Sequence, residues 1–559
     1  MSSAESGPEY DVVVVGSGAA GMTAALTAAA RGLSALVVEK AGRFGGSTAR
    51  SGGAVWAPGN EVLRAAGVPD SPEAATRYLT DIIGEDVTER RRAAVLAAGP
   101  EMVALVRAKT PLDFRHVPGY SDYYPEADGG LAIGRSIEPR PLDGHVLGAE
   151  LANLNPPYLP APKGLPVTAA HYKWLNLIAR HPRGVVSAFL VGARWAWGRL
   201  RGQHLLTMGQ ALATGLRAGL QRAGVPVWLD TPLRELVITD GVVTGVEVEH
   251  EGKPVRVTAR RGVLLAAGGF EHNETMRKQY QREPIGTGWT VGAKENTGDA
   301  ITVGQRAGGA LELMDDAWWG PSIPLTGGPY FCLAERTLPG GMMVNGKGER
   351  FVNEAAPYVD AVHAMYGDGD GPAVNMPTWM IIDQRYRNRY MFCGMSPRQK
   401  FPGRWYRAGV VFRAGTLAEL AEKIELPAGA LESTVEKFNG FADTGKDTDF
   451  HRGDSAYDHY YGDPRNRPNP SLGALRTAPF YAIRMVPGDL GTKGGLRTDD
   501  RARVLTAEGT PIPGLYAAGN TSAAVMGHTY AGAGATIGPA MTFGYLAALD
   551  IAARTGGTA

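Results

Sequence analysis

The stretch YDVVVVGSGAAGMTAALTAAARGLSALVVEK, residues 10–40, decides the fold of this chain. Its apolar run Val12–Val15 predicts a strand that is buried on both faces, as in a parallel sheet. A helix is predicted from about Ala19 to Ala30, with its N-terminus placed to attract an anion. Three glycines between strand and helix have the spacing G-x-G-x-x-G: Gly16, Gly18 and Gly21. They let the chain turn, let a pyrophosphate approach the backbone and let the helix pack closely on the strand.

An acidic residue completes the pattern of a dinucleotide-binding unit. Glu39 ends the second predicted strand, 21 positions after Gly18, where a carboxylate binds the ribose hydroxyls and repels a 2′-phosphate. A long Gly/Ser loop, residues 42–58, follows and is unusual for an NAD domain. Near the other end, a predicted strand from Leu515 to Ala518 and the turn Gly519–Asn520 are typical of chains that close a flavin site late. The pattern therefore favours FAD.

The bulk composition narrows the classes of function. With 559 residues the chain is long enough for two or more domains. Its formal net charge of +1 gives no basic surface, which argues against nucleic acid as a partner. The cysteines are Cys332 and Cys393, too few for a disulfide framework or a metal motif, so we predict no metal site and a reducing compartment. We find no signal peptide and no apolar run that could span a bilayer, and expect a cytoplasmic protein.

Further motifs are spread over nearly the whole chain: FGGSTARSGG, VPGYSDYYPE, GVLLAAGGFEHN, GERFVNEAAPY, VPGDLGTKGGL, GLYAAGNTS and GHTYAGAGATIGPAMTFGY. By this set the chain resembles the flavoproteins of the fumarate reductase and succinate dehydrogenase superfamily. Within that superfamily it is most similar to the 3-ketosteroid Δ1-dehydrogenases. The set is highly specific, unlike any single motif in it.

The resemblance implies an α/β fold in which a Rossmann-type FAD-binding domain carries an inserted α+β catalytic domain. The FAD-binding domain would comprise residues 1–278 and 479–559, and the catalytic domain residues 279–478. FAD should be noncovalent, because GGSTARSGG lacks the histidine to which succinate dehydrogenases attach the flavin. We expect these residues to bind the cofactor: Gly16, Gly18, Ala19, Ala20, Gly21, Glu39, Lys40, Gly46, Ser47, Thr48, Ser51, Gly52, Gly53, Ala267, Gly268, Asp299, Gly519, Asn520, Ala535 and Ile537.

The resemblance also implies the reaction. A Δ1-dehydrogenase introduces a double bond between carbons 1 and 2 of a 3-ketosteroid, as a step of steroid or sterol degradation. A base removes a proton from carbon 2, and a hydride passes from carbon 1 to flavin N5. By resemblance the base is Tyr358, while Tyr530 and the backbone N–H of Gly534 bind the ketone oxygen as negative charge builds there.

A tyrosine base needs a neighbour that stabilises its phenolate. The resemblance gives that role to Tyr123 in YSDYYPE, and Tyr120 and Tyr124 of the same motif remain open as alternatives.

Two other enzyme activities stay open at this point. One is a 3-ketosteroid Δ4-(5α)-dehydrogenase, which acts on the other side of the same ketone. The other is a fumarate-reductase-type flavoprotein, which would grip a dicarboxylate with Arg and His side chains. The electron acceptor that reoxidises FAD could be quinone-like or a protein.

Residues 150–205 form an insertion that begins Pro-rich and ends aromatic and basic. Over residues 180–201 a helix would carry Arg183, Ser187 and Arg194 on one narrow face. Val185, Val186, Phe189, Leu190, Trp197 and Leu200 would lie away from that face. This pattern is typical of a helix that lies on a bilayer surface, here the inner face of the cell membrane. A helix packed on the core and a contact between copies of the chain are the alternatives.

Overall fold

The computed structural model describes residues 5–159, 164–369 and 371–554. The strands are β1 Glu5–Val15, β2 Ala35–Val38, β3 Val55–Trp56, β4 Phe114–His116, β5 Ser136–Pro139, β6 Leu142–Asp143, β7 Leu205–Leu206, β8 Val227–Trp228, β9 Leu233–Thr239, β10 Val242–His250, β11 Lys253–Leu265, β12 Leu311–Glu312, β13 Ala317–Ile323, β14 Tyr330–Phe331, β15 Gly341–Val344, β16 Thr378–Asp383, β17 Val411–Ala414, β18 Phe480–Thr492, β19 Gly495–Leu496, β20 Arg503–Leu505 and β21 Pro511–Ala517. The predicted α/β fold class is confirmed.

The α-helices, in the same part of the chain, are α1 Ala19–Ala30, α2 Gly46–Arg50, α3 Glu61–Ala65, α4 Pro72–Ile83, α5 Glu89–Lys109, α6 Ala169–Leu175, α7 Pro182–Leu200, α8 Met208–Arg222, α9 Glu274–Tyr280, α10 Asp299–Arg306, α11 Ala334–Thr337, α12 Tyr358–Tyr366, α13 Gln384–Arg389, α14 Gly403–Arg407, α15 Leu417–Lys423, α16 Ala430–Thr444, α17 Ala456–Tyr460 and α18 Ile537–Ala553. Helix α1 has the predicted bounds.

The first sheet is the Rossmann-type layer. Its order is β20-β21-β11-β1-β2-β8, with β21, β11, β1, β2 and β8 parallel to one another. Strands β9 and β10 extend β11 as an antiparallel ribbon that turns at Asp240–Gly241 and near Gly252, as predicted. The predicted strand Val12–Val15 is the buried end of the longer β1.

The last helix returns to the first. Helix α18 packs along α1, and the approach is so close that a Cβ on Gly544 would lie 2.3 Å from the carbonyl oxygen of Ala20. At Gly21 an added Cβ would lie 2.0 Å from the carbonyl oxygen of Gly16. Glycine at these two positions therefore lets α18, α1 and β1 form one tightly packed unit.

The second sheet has the order β14-β13-β18-β16-β15, with β17 also paired to β18, and all its pairings are antiparallel. Strand β18 lies just after the predicted domain boundary at residue 479, yet it is a central strand of this sheet. The hydrogen bonds of β18 to β13 and β16 therefore extend the second sheet to Thr492, and the chain rejoins the first sheet only at β20.

The insertion at residues 150–205 contains the hairpin of α6 and α7, and its residues 160–163 lie outside the described part of the chain. Gly184 lets the two helices approach, because an added Cβ there would lie 2.7 Å from the carbonyl oxygen of Trp174 on α6. The six apolar residues that the sequence placed away from the narrow face are all exposed, from 48% at Leu190 to 82% at Leu200. Ser187, on the narrow face, is buried. No helix within residues 5–159, 164–369 and 371–554 is both long and apolar enough to cross a bilayer.

Candidate active site

A cavity of about 1200 Å³ opens at the carboxyl ends of β1, β2, β11 and β21. In open α/β sheets this edge is where ligands bind. One part of its wall is the glycine turn before α1, and the other part carries Tyr330 and Phe331 from the second sheet and Tyr358 from α12. The cavity therefore joins the predicted cofactor residues to the predicted catalytic ones.

Glu39 is fixed behind the glycine turn. Ser17 donates to Glu39 Oε2 from its backbone N–H at 3.0 Å and from its hydroxyl at 2.6 Å. Ala41 N–H donates to Glu39 Oε1 at 2.9 Å. Burial raises the pKa of Glu39, and these hydrogen bonds oppose that rise. The bonds tie the β1–α1 turn to the end of β2, and the carboxylate retains acceptor capacity for two hydroxyl groups.

The Gly/Ser loop after β2 completes the cradle. Thr48 Oγ1 accepts a hydrogen bond from Ala19 N–H at 3.0 Å, so α2 is attached to the N-terminus of α1. Ser47 Oγ accepts from Ala293 N–H at 2.9 Å. At Gly46 and Gly52 an added Cβ would meet no atom within 4 Å, so bare backbone borders open space there. A cradle of backbone groups and small side chains fits a dinucleotide such as FAD.

Eighteen of the 20 predicted cofactor residues line this cavity. Lys40 and Asp299 do so as an ion pair, with Nζ and Oδ2 2.7 Å apart. Gly21 and Ala535 do not line it: Gly21 packs beneath the turn, and Ala535 is buried in the segment before α18, where its N–H donates to Gly532. These two residues support the cradle from behind.

Three predicted catalytic tyrosines meet in the cavity wall. Tyr123 Oη donates to Tyr358 Oη at 3.2 Å. The ring centres of Tyr123 and Tyr530 are 5.2 Å apart, and those of Tyr358 and Tyr530 are also 5.2 Å apart. Tyr358 is the first residue of α12, and Tyr530 lies in the segment before α18. Tyr123 N–H donates to the Ala531 carbonyl, which ties these segments together.

The structure separates the three tyrosines of YSDYYPE by their hydrogen bonds. Tyr123 reaches Tyr358 directly, and Tyr120 Oη lies 3.3 Å from Tyr123 Oη. Tyr124 instead donates to Asp360 Oδ1 at 2.8 Å. The geometry therefore favours Tyr123 as the neighbour of the base, with Tyr120 one step behind it.

Burial governs the acidity of these phenols. It raises the pKa of Tyr358 well above its ordinary value, and neighbouring tyrosines raise it further. The hydrogen bond from Tyr123 is a described contact that lowers the pKa of Tyr358. Burial also raises the pKa of Tyr530, so that phenol remains a neutral donor at neutral pH.

Gly534 brings a backbone N–H beside Tyr530. Its φ is +90°, and an added Cβ would lie 2.4 Å from the Ala54 carbonyl oxygen, so only glycine fits. Tyr530 Oη lies 2.9 Å from Thr536 Oγ1, and the backbone of Gly534 acts on the same phenol. Two donors, a phenol and an amide, are thus held close together on one short segment.

Two charged residues near this wall were not among the predicted site residues. Lys493 and Asp316 form a buried ion pair at 2.8 Å, and the ammonium group of Lys493 lies over the ring of Trp318. Trp318 donates to Asn520 Oδ1 at 3.0 Å and its ring meets Tyr530 edge-on. Lys493 and Asp316 are far apart in sequence, and the signals that could have drawn attention to them are the motifs VPGDLGTKGGL around Lys493 and DAWWGP, which begins at Asp316.

Comparisons with known proteins agree with this geometry. The family described as FAD binding domain matches residues 11–537. The 3-oxosteroid 1-dehydrogenase of Mycolicibacterium smegmatis is 57% identical over 556 residues, which cover 98% of each chain. A crystal structure of 3-ketosteroid Δ1-dehydrogenase from Sterolibacterium denitrificans, in complex with 1,4-androstadiene-3,17-dione, is 41% identical and covers 98% of this chain and 100% of that chain with a TM-score of 0.91. This chain belongs to the 3-oxosteroid 1-dehydrogenase family.

Family membership confirms the predicted cofactor, FAD, and the predicted activity, flavin-dependent 1-dehydrogenation of 3-ketosteroids. The 3-ketosteroid-Δ4-(5α)-dehydrogenase of Rhodococcus jostii RHA1 is also similar, with a TM-score of 0.69 over 99% of each chain. Its identity is only 24%, so that likeness shows a shared fold.

Proposed function

We propose that Tyr358 is the base that removes the proton from carbon 2 of a 3-ketosteroid, and that Tyr530 and the Gly534 N–H bind the ketone oxygen. The observation that carries this assignment is the contact of Tyr358 with Tyr123 at 3.2 Å, within a cluster that includes Tyr530. In the reaction the C2–H bond breaks and an O–H bond forms on Tyr358. Bound FAD supplies the acceptor for the hydride from carbon 1.

The two donors act where charge develops. As the C2 proton leaves, electron density moves onto the ketone oxygen, and fixed donors in a dry cavity stabilise that oxyanion. Tyr530 and Gly534 belong to the segment that continues into α18, which packs on α1. The ketone and the cofactor would therefore be held by one rigid support, which favours a constant distance between carbon 1 and the hydride acceptor.

The cavity wall also suits a steroid. Leu159, Leu165, Leu175 and Ile178 from the insertion line it, and most of its surface is apolar. Burying the hydrocarbon rings of a steroid against such a wall is favourable.

An anaerobic titration with 4-androstene-3,17-dione tests the assignment. We expect bleaching of the flavin absorbance in the wild type, with 1,4-androstadiene-3,17-dione as the product, and loss of bleaching in Tyr358→Phe. Tyr406→Phe, on α14 and away from the cavity, is the matched control and should behave as wild type. Bleaching of Tyr358→Phe at the wild-type rate would remove Tyr358 from the mechanism.

We also propose that α7 rests on the inner face of the cell membrane. Phe189, Trp197 and Leu200 are 72%, 58% and 82% exposed on its outer side. Residues 151–229 contain no Asp or Glu, while α6, α7 and the turn between them carry six Lys and Arg up to Arg201. Exposed apolar side chains on a helix with basic neighbours suit a surface of anionic lipids.

Sedimentation with vesicles of anionic phospholipid tests this contact. The triple variant Phe189→Ser, Trp197→Ser, Leu200→Ser should stay in the supernatant, whereas wild type should sediment with the vesicles. The control, Ile238→Ser with Val374→Ser, removes exposed apolar side chains elsewhere and should sediment as wild type. Equal sedimentation of wild type and the triple variant, or a change in oligomeric state alone, would contradict the proposal.

A further inference from the structure

Arg336, on the short helix α11, is a buried guanidinium without a described counter-ion. Its side chain has no exposed surface. Nη1 donates to the carbonyl oxygens of Glu354 at 2.5 Å and Ala356 at 2.7 Å. Within the described residues, Nε and Nη2 have no hydrogen-bond partner, and no carboxylate lies within ion-pair distance. A buried charge without a counter-ion is costly, so its presence calls for a reason.

The other large, fully buried arginines are compensated. Arg135, Arg277 and Arg452 each form an ion pair with a carboxylate. Arg387 has no described ion pair, but its guanidinium lies over the rings of Phe392 and Phe401. In the described part of the chain Arg336 has neither an ion pair nor a cation–π contact, so no such partner compensates its positive charge.

The surroundings of Arg336 are the base and its phenol neighbours. The carbonyls that it binds, on Glu354 and Ala356, come four and two residues before Tyr358. Burial raises the pKa of Tyr120, and the charge of Arg336 opposes that rise. Tyr120 is linked to Tyr358 through Tyr123. The guanidinium therefore holds the loop that leads into α12, and its charge acts on one member of the hydrogen-bonded chain of phenols.

We propose that Arg336 is a positioning residue that supplies the positive charge by which the phenol cluster of Tyr358, Tyr123 and Tyr120 holds a negative charge. The inference rests on the proposed role of Tyr358 as the base. A phenolate on Tyr358 is the species that takes the carbon 2 proton, and burial, together with the neighbouring tyrosines, opposes its formation. A cation behind the cluster offsets that cost without touching the substrate and without exchanging a proton.

Other charged groups act on the same region and define the alternatives. Asp360, two residues after Tyr358, is half-buried, accepts a hydrogen bond from Tyr124, and is also influenced by Arg336. Lys493 and His363 act on Asp360 as well, while Asp458 and Arg336 act on Tyr457. The further titratable groups around the cluster are Tyr530, Tyr461, Glu354, Arg452 and Cys332. If Arg336 served only to balance Asp360, replacing that carboxyl by an amide would remove the effect of losing the arginine.

The test measures anaerobic flavin reduction by the steroid as a function of pH, from about pH 6 to about pH 10. In Arg336→Gln we expect the rising limb of the rate to move to higher pH by about one unit, because the phenolate loses its cation. Below that limb the reduction would be about tenfold slower than in wild type, and at high pH the two rates would converge. Arg336→Lys, which keeps the charge, should restore the wild-type limb.

A matched control separates charge from folding. Arg387→Gln removes another buried guanidinium without a described ion pair, one that has no described contact with Tyr358, Tyr123 or Tyr120, and should leave the limb in place. Thermal unfolding and flavin content show whether each variant is folded. Three results would each overturn the inference. The first is a rising limb that does not move in Arg336→Gln, and the second is a limb that moves as far in Arg336→Lys as in Arg336→Gln. The third is a limb that returns to its wild-type position when Asp360→Asn is added to Arg336→Gln.

Tyr358→Phe distinguishes a failure of this inference from a failure of the proposed base. If the flavin of Tyr358→Phe is reduced by the steroid at the wild-type rate, both the proposal that Tyr358 is the base and the proposed role of Arg336 are contradicted. If Tyr358→Phe is inactive and the limb of Arg336→Gln is unmoved, the base stands and only the role of Arg336 is contradicted.

Discussion

One end of the cavity is formed mainly by backbone atoms, and the other end mainly by aromatic side chains. The cofactor end is made of backbone and small side chains, as at Gly46 and Gly52, where no side chain intrudes. The substrate end is walled by phenol rings, with Tyr358, Tyr123 and Tyr530 in mutual contact. Added atoms would obstruct binding at a backbone surface, whereas the removal of a single oxygen atom would disable a phenol in the cluster. The two ends should therefore respond to opposite kinds of substitution.

Adding one carbon at the cofactor end should have the largest effect. In Gly21→Ala the new Cβ would lie 2.0 Å from the Gly16 carbonyl oxygen, so α1 must move away from β1. We expect the purified protein to contain almost no FAD, as measured by its absorbance spectrum. Gly192→Ala, where an added Cβ meets nothing within 4 Å, should keep its full flavin content. A yellow, fully loaded Gly21→Ala protein would show that the close packing is dispensable.

Removing one oxygen at the substrate end should slow the reaction without loss of cofactor. In Tyr530→Phe the ketone loses one of its two proposed donors, and flavin reduction should fall by about 10² to 10³-fold. Flavin content should be unchanged, in contrast to Gly21→Ala. Tyr545→Phe, which removes a phenol oxygen bound to Glu101 on the other side of α18, is the control. A reduction rate within a few-fold of wild type in Tyr530→Phe would assign the ketone to other donors.

The smallest effect should be on stability, from a substitution in the segment that joins the two ends of the cavity. His528 Nδ1 lies 2.7 Å from Asp86 Oδ2, and Asp315 and Asp86 raise the pKa of His528 to about 9. Because this pKa lies above the ordinary value, the stabilisation is full below about pH 6.5 and is lost as the pH rises through about 9. His528 is partly exposed, so solvent screening should keep the contribution below about 1 kcal/mol.

The measurement is the difference in melting temperature between wild type and His528→Gln. That difference should shrink between pH 6.5 and pH 9, since only the wild type loses an ion pair over this range. A constant difference across these pH values would mean that His528 contributes packing and not charge.

The cofactor end could be predicted from sequence because its determinants are contiguous. The strand, the three glycines, helix α1 and Glu39 lie within residues 10–40, and α1 begins and ends where the pattern placed it. The proposed catalytic tyrosines needed the resemblance, since Tyr123 and Tyr358 are 235 positions apart. The choice of Tyr123 over Tyr120 and Tyr124 needed the structure, because it depends on which hydroxyl reaches Tyr358.

Other residues could not be predicted, for reasons of packing. Arg336 and Asp360 have ordinary sequence neighbours, and the feature that distinguishes them is their place beside phenols from distant segments of the chain. The sheet to which β18 belongs could not be predicted either, because a strand's pattern shows that it is buried but not which sheet it joins.

The contact between α18 and α1 has a consequence for biosynthesis. The glycine turn and α1 leave the ribosome early, whereas α18, whose Gly544 rests on Ala20, is among the last elements to emerge. The nascent chain can offer FAD only half of its cradle until translation is nearly complete. Cofactor loading is therefore a late event in the life of each new polypeptide, and a chain truncated before α18 would be released without the means to retain its flavin.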